Sequence, residues 1–433
     1  MKLGIISLGC AKNLYDSEMI LGILKKNSIE IVNNEKEADI ILINTCGFIE
    51  SAKEEAINTI FEMVELKKRY NKKIVVTGCL VERYLDTLKK EIEEVDLFIP
   101  IHSYSEFGAL FSNMFNVKFD DNALSPTMRL FSTPKHWSYL RIADGCDNRC
   151  TYCAIPLIRK NHLSRTIEDI LVETEVIANR GSKEIVLISQ DTSRFGRDYS
   201  GRCLLPELLE KLAQMKKFEF IRFLYLYPDE IEDDLLDVVN KYEEITPYFD
   251  IPIQHASSKI LKAMNRRGNK EFLITLFKKI REKVPNCILR TTLIVGFPGE
   301  SEEDFNELKE FIQEIKFDRL GVFKYSPEED TPSATYPNQI DEEIKEQRYQ
   351  EIMKIQEKIS YELSKNKIGS IQKVIVEGYD KNLNCLTGRS YAFAPDDVDG
   401  LIYIKTKNNY NDGDIINVKI VSNMIHDLIG EEL

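Results

Sequence analysis

The sequence predicts an α/β protein in three parts: an amino-terminal doubly wound parallel sheet, a central partial (β/α) barrel and a small all-β barrel in the tail. Three observations predict it. Apolar runs alternate with helical patterns over residues 1–115, the rhythm of βα units in a parallel sheet. After a break the rhythm resumes with six candidate strands over residues 137–325, enough for a barrel or part of one. The tail from Ile368 onward changes to short β-patterned runs separated by turn signals.

The first domain, 1–115, opens with an apolar run over 4–8 and a helical pattern from Met19 to Lys26. A second run covers 39–44 (Ile40, Ile41, Leu42, Ile43) and leads into a helix over 51–70. A third run, 73–77, precedes a helix over 82–93. Residues 116–136 carry Pro126 and Pro134 without clear periodicity and read as a linker. The central domain, 137–365, has its strands at 139–142, 184–188, 221–225, 249–253, 288–295 and 319–323, and ends in a long polar helix over 341–365. The third domain, 366–433, has runs at 371–376, 401–404 and 415–421, with Asn411-Asp412-Gly413-Asp414 as a turn.

Composition narrows the function. Of 433 residues, 58 are basic and 71 acidic, a net charge of -13, which counts against a protein that coats DNA. No apolar run reaches the roughly 18 residues of a membrane helix. The opening Met1–Cys10 stretch superficially resembles a short lipoprotein signal but reads better as a first buried strand, so the expectation is an unprocessed cytoplasmic chain. Nine cysteines are too sparse for a disulfide-stapled secreted fold.

Cysteine position carries the chemistry. Cys146, Cys150 and Cys153 form C-x3-C-x2-C, three thiolates on one loop that can wrap three irons of a cubane and leave the fourth iron open. A zinc site completed by His162, or three incidental cysteines, are the alternatives. Cys10, Cys46 and Cys79 lie far apart in sequence, yet each follows an apolar strand run. A spacing near 30 residues is that of successive βα units, so all three belong just past the carboxyl ends of parallel strands, where doubly wound folds bind ligands. Gly9, Gly47 and Gly78 flank them and permit close backbone approach. A second three-thiolate site is expected there, against the ordinary fate of a lone cysteine as a small core residue. Cys203, Cys287 and Cys385 have no such company and are assigned to packing.

The C-x3-C-x2-C loop, with Tyr152 between its last two cysteines, resembles the signature of radical S-adenosylmethionine (SAM) enzymes. The two cysteine triads, the α/β first domain, the barrel and the β tail together resemble the methylthiotransferase family, over essentially the whole chain. The resemblance implies that the tail is a TRAM domain and that two [4Fe-4S] clusters and SAM are the cofactors. Within the family, Leu8-Gly9-Cys10-Ala11-Lys12-Asn13 followed by Asp16-Ser17-Glu18, and the stretches 190–196, 250–256 and 290–300, resemble the RimO branch. That branch implies β-methylthiolation of one aspartate in small-subunit ribosomal protein twelve. The alternative is a tRNA adenosine (isopentenyladenosine-type) methylthiotransferase of the same family, whose branch usually carries a Gln-Met-Asn-like sequence after the first cysteine. A non-enzymatic scaffold with metal sites that only stabilise folding is a third reading, disfavoured by the open ligand positions.

An aspartate β C–H is unactivated, so a cofactor must carry the hard step while the protein positions it. The resemblance implies that Cys146, Cys150 and Cys153 hold the cluster that cleaves SAM to a deoxyadenosyl radical, which abstracts the substrate hydrogen. The carbon radical then attacks a methylated sulfur at the Cys10, Cys46 and Cys79 site. Gln190 and Gln254, at strand ends, and Thr292 and Gly296, in a strand and its glycine turn, are candidate SAM contacts. An electron donor and a sulfur source are implied partners, and free protein and assembled subunit both remain open as substrate. The tail from Lys365 holds eight basic and ten acidic residues, against an RNA grip, although nucleic-acid contact stays open. The acidic loop 396–399 either meets a basic ribosomal protein or is a solvated turn.

Overall fold

The computed structural model describes residues 1–120, 123–396 and 398–433. Its amino-terminal sheet comprises β1 (Lys2–Ser7), β2 (Glu30–Ile31), β3 (Ile40–Thr45), β4 (Lys73–Gly78) and β5 (Leu97–Ile99), all parallel, in the order β2-β1-β3-β4-β5. Four helices flank it: α1 (Ala11–Lys26), α2 (Glu50–Tyr70), α3 (Cys79–Glu91) and α4 (Phe107–Phe115). One face packs Leu3, Leu42 and Val75 under α1 and α4; the other packs Ile41, Ile43 and Val76 under α2 and α3. Burial of β3 at all six positions explains its unbroken apolar run. The helix after β4 begins at Cys79, three residues before the sequence expectation, because Gly78 takes φ 98° and turns the chain straight into it.

The central strands are β6 (Trp137–Arg141), β7 (Ala143–Asp144), β8 (Leu163–Ser164), β9 (Glu184–Ile188), β10 (Phe220–Phe223), β11 (Tyr248–Asp250), β12 (Ile288–Val295) and β13 (Arg319–Lys324). β6, β9 and β10 form one parallel sheet and β11, β12 and β13 another. The two meet where Leu226 N–H donates to Asp250 O at 2.8 Å and Ile221 bridges Ile245 in parallel. The result is the expected six-stranded partial barrel. Helices α5 (Ile155–Ile158), α6 (Ile167–Asn179), α7 (Arg197–Ser200), α8 (Leu205–Gln214), α9 (Asp233–Lys241), α10 (Ser258–Ala263), α11 (Lys270–Lys283), α12 (Glu302–Ile315) and α13 (Glu342–Lys365) complete the domain. α12 starts where its pattern demands, in a Ser301/Asp304 capping box. Along β12, Leu289, Leu293 and Val295 enter the main core, while Arg290, Thr292 and Ile294 are half-buried on the opposite face.

The tail closes into a five-stranded barrel of β14 (Ile371–Asp380), β15 (Cys385–Arg389), β16 (Ile402–Lys405), β17 (Ile415–Asn423) and β18 (Leu428–Glu432). β15 and β18 have no counterpart among the sequence expectations. β15 reads Cys-Leu-Thr-Gly-Arg, and Gly388 sits there because a Cβ would lie 2.6 Å from Ile375 O.

Two seams of buried charge join the three parts. Residues read as a linker thread between them: Arg129, its side chain fully buried, pairs with Glu18 at 2.9 Å and Glu173 at 2.8 Å. At the tail, Glu184 pairs with Arg222 and Arg389, each at 2.8 Å, and Arg389 also meets Glu377 at 2.6 Å. The acidic loop belongs to this second seam. The Asp399 side chain is 2% exposed and accepts from Tyr248 Oη at 2.7 Å, and the exposed Asp396 accepts from Tyr139 Oη at 2.8 Å. Both carboxylates therefore tie the tail to the central domain, while Asp396 and Val398 remain exposed; Asp397 lies outside the described residues. Among the described residues no helix is long and apolar enough to cross a membrane.

Candidate functional site

All nine cysteines are free. Cys10, Cys46 and Cys79 stand directly beyond β1, β3 and β4, three adjacent strands of the sheet. Cys10 is exposed at the start of α1, and Cys79 opens α3. Both therefore sit at helix amino termini. Gly9 makes the approach possible. It takes φ 89°, and a Cβ there would lie 2.8 Å from Cys46 Cβ and 3.0 Å from its sulfur. Burial raises the Cys46 thiol and pushes Cys79 up to about 12, and in both cases the neighbouring triad thiols add to the rise. The three groups thus share one electrostatic environment. Asn13 locks it from below: its amide donates to Leu8 O at 3.0 Å and Thr45 O at 2.8 Å, and its Oδ1 accepts from Cys79 at 3.3 Å.

Cys146, Cys150 and Cys153 lie on a loop whose ends are tied by the β7–β8 ladder. Cys146 N–H donates to Lys160 O at 3.1 Å, and Gly145 takes φ 79° where a Cβ would lie 2.0 Å from Asn161 O. Each sulfur region has its own polar neighbours. Asn148 reaches Cys146 Sγ at 3.5 Å while donating to Asp191 at 2.6 Å. The buried Arg266 reaches Cys150 Sγ at 3.8 Å, lies over the Tyr227 ring and contacts Tyr152 Oη at 3.3 Å. Burial raises Cys146 to about 11 and raises Cys153 further. His162 contacts Ser164 Oγ at 3.0 Å. Among the described residues no three His, Cys, Asp or Glu side chains converge as a single ion requires. A cubane, which spreads three thiolates over three separate irons, does not need such convergence.

The two cysteine-bearing segments touch. Cys79 packs in one small apolar cluster with Ala154 and Ile158, and Ala154 directly follows Cys153. Around that contact runs a charged seam that sequence reasoning did not assign. Asp16 pairs with Arg141 at 2.5 Å and Arg159 at 2.7 Å. Asp144 pairs with Arg159 at 3.2 Å, and burial that would raise its carboxyl is overcome by Arg159 and Arg141, which hold it low. In the sequence, Asp16 stands within the motif stretch Asp16-Ser17-Glu18, which carries no sign of burial.

The candidate SAM contacts fall unevenly. Gln190 lies just past β9; its amide donates to Asp144 at 2.6 Å, and its buried Oε1 has no partner among the described residues. Thr292 is half-buried on the β12 face opposite the main core. Gln254 takes φ 71° and exchanges backbone hydrogen bonds with Thr292 O and Ile294 N at 2.9 and 2.8 Å. Gly296 packs against Lys345, and its N–H already donates to Glu300 at 2.5 Å, so that amide is not free for a cofactor. Tyr152, Ile260, Met264, Phe297 and Tyr325 form an apolar patch next to the cysteine loop.

Three family descriptions match this chain in order: the uncharacterized protein family UPF0004 over residues 2–100, the radical SAM superfamily over 140–312 and the TRAM domain over 368–432. The chain is 48% identical over 434 aligned residues to ribosomal protein uS12 methylthiotransferase RimO of Alkaliphilus oremlandii, covering 100% of this chain and 99% of that one. The chain belongs to the RimO family. It is 45% identical to the RimO of Clostridioides difficile, over 100% and 99% of the two chains. Among solved structures, the radical SAM methyltransferase TsrM of Kitasatospora setae aligns with TM-score 0.56 at 12% identity, over 77% of this chain and 76% of that one. The cobalamin-dependent radical enzyme OxsB aligns at 0.51 and 13%, over 83% and 56%. Both likenesses show a shared fold. The family membership also accounts for the RimO-like stretches at 8–18 and 190–196, and does not favour the tRNA-modifying branch.

Proposed function

We propose that this RimO-family chain attaches a methylthio group to the β-carbon of an aspartate in small-subunit ribosomal protein uS12. SAM would serve both as radical source and as methyl donor. The observation that carries the reading is the packing of Cys79 against Ala154, the residue after Cys153, which supports two neighbouring three-thiol sites. Cys146, Cys150 and Cys153 would hold one [4Fe-4S] cluster, and Cys10, Cys46 and Cys79 a second. Three soft thiolates without a fourth protein ligand suit a cluster with an open iron at each site. When bound, the groups would supply an electron to SAM on one side and a sulfur-accepting iron on the other.

The chain's own residues orient and protect. Arg266 and Asn148 place N–H groups at Cys150 and Cys146, where they can donate to a sulfur that ligates iron. The free Oε1 of Gln190 is an acceptor for an ammonium group, and Asp144 fixes its direction through the other end of the amide. The Tyr152–Phe297–Tyr325 patch keeps water from one side of the loop. A ribosomal substrate would place the enzyme's work in the cytoplasm.

The test is anaerobic incubation of reconstituted protein with SAM, reductant, sulfide and either uS12 or tRNA. The expected result is a one-methylthio mass gain on a uS12 aspartate, with release of methionine and 5′-deoxyadenosine that Cys146→Ala abolishes. A gain on tRNA alone, or deoxyadenosine release by Cys146→Ala, overturns the reading.

A further inference from the structure

Arg159 follows the second cysteine loop, yet its guanidinium lies among side chains of the first domain. It is 7% exposed. Nη2 donates to Asn13 Oδ1 at 3.0 Å, pairs with Asp16 at 2.7 Å and reaches Cys79 Sγ at 3.6 Å. Nη1 pairs with Asp144 at 3.2 Å, two residues before Cys146. We propose that Arg159 is a positioning residue that donates to the Cys79 sulfur and thereby sets the reduction potential of the group held by Cys10, Cys46 and Cys79. The proposal rests on the reading that this triad holds an iron–sulfur cluster.

The argument is one of donors and acceptors. As a thiol, Cys79 gives its proton to Asn13 Oδ1 at 3.3 Å. As an iron ligand it has no proton to give and its sulfur becomes an acceptor. Asn13 cannot supply the donor, because its amide nitrogen is held by Leu8 O and Thr45 O. Arg159 can, with an N–H already in reach. Its planar fork is fixed on both sides by Asp16 and Asp144, so the donor does not wander. Hydrogen bonds to cluster sulfurs, and nearby positive charge, raise a cluster's potential by stabilising the reduced, more negative state. Burial strengthens that effect. The same arginine grips the start of the other cysteine loop through Asp144, so one side chain sets the position of both triads.

The experiment uses the full chain with Cys146, Cys150 and Cys153 changed to Ala, reconstituted anaerobically with iron and sulfide, and an EPR-monitored redox titration. Iron bound by this background, and lost on adding Cys10→Ala, tests the reading beneath the proposal separately. In it, Arg159→Gln should bind the same iron with a midpoint potential lower by a tenfold change in the oxidised-to-reduced ratio, or about 59 mV for one electron. Arg159→Lys, which keeps the charge, should recover part of the fall. If Arg159→Gln does not fold, Asp16→Asn/Arg159→Gln removes the ion pair as a unit and should show a smaller fall, that of the lost N–H donor alone. An unchanged potential at unchanged iron content, in either variant, overturns the proposal and leaves Arg159 as a structural ion pair.

Discussion

Glu184→Gln is a nearly isosteric change that tests how the tail is held. Glu184 is fully buried and faces two guanidinium groups, Arg222 and Arg389. Arg389 keeps Glu377 at 2.6 Å, so it retains a carboxylate. Arg222, with no exposed side-chain surface, keeps the Tyr391 carbonyl at 3.0 Å and its stacking over the Tyr248 ring, but no carboxylate among the described residues. Stranding one charge of a buried pair costs about 3–5 kcal/mol. The glutamine oxygen still accepts from Arg222 Nε, which returns about 1 kcal/mol. A net loss of about 3 kcal/mol follows, equivalent to a roughly 100-fold rise in the open population. Because the seam joins β9 and β10 to β15, the opening should be local to it. Hydrogen exchange read by mass spectrometry should show β15 amides exchanging about 100-fold faster, with β3 and β4 unchanged. Exchange in β15 within about threefold of the parent would refute the reasoning, since a drop that small is under 1 kcal/mol.

Three further outcomes follow from other parts of the molecule. Gly9→Ala places a Cβ 2.8 Å from Cys46 Cβ at φ 89°, and should cost about 2–4 kcal/mol and lower the iron held by the first triad; equal iron content in the Cys146/Cys150/Cys153→Ala background would contradict it. Glu328, 2% exposed, clamps the loop after β13 to Lys53 and Arg83 at 3.1 Å each, so Glu328→Ala should speed limited proteolysis at residues 326–331 by at least tenfold, and an unaltered cleavage rate would rule the clamp out. Burial lowers the His255 imidazole from 6.5 to about 3, so between those values the folded chain binds fewer protons than the unfolded one. Stability is then fully kept above pH 6.5 and falls by up to about 5 kcal/mol toward pH 3. His255→Asn, whose Oδ1 can replace the Nδ1 acceptor of Ser257 N–H, should flatten that limb of the acid-denaturation curve; an identical limb would show that another group controls it.

What was legible in the sequence was whatever repeats locally. The run Ile40–Ile43 announces a doubly covered strand, and C-x3-C-x2-C announces a loop of thiols. Cys10, Cys46 and Cys79 became a set only through the spacing of βα units, and the sheet order does bring their strands together. Short or pattern-poor strands were not legible: Glu30–Ile31 has two residues, and β15 carries Gly388 for closeness to Ile375 and not for β-propensity. The seams were least visible. A charged side chain in sequence reads as solvated, yet Asp16, Arg159 and Arg222 are buried by partners far along the chain, Asn13 and Arg159 being 146 residues apart. Asp399 misled for the same reason: its acidic neighbours suggested a partner outside the molecule, and its hydroxyl donor, Tyr248, is 151 residues away inside it.

The two seams bear on how far this chain can be taken apart. Sequence families divide it into three modules, but the buried charges ignore those borders: Asp16 answers to Arg141 and Arg159 of the second module, Glu18 to Arg129 in the segment between the first two, and Arg389 of the third to Glu184 of the second. A fragment ending near residue 115 would present both carboxylates, with Tyr15, to water on a helix face shaped for burial. A grafted tail from a distant relative would need a matching arginine at position 389 before it could dock. The unit that folds, and the unit on which substitution must act in concert, is the whole chain.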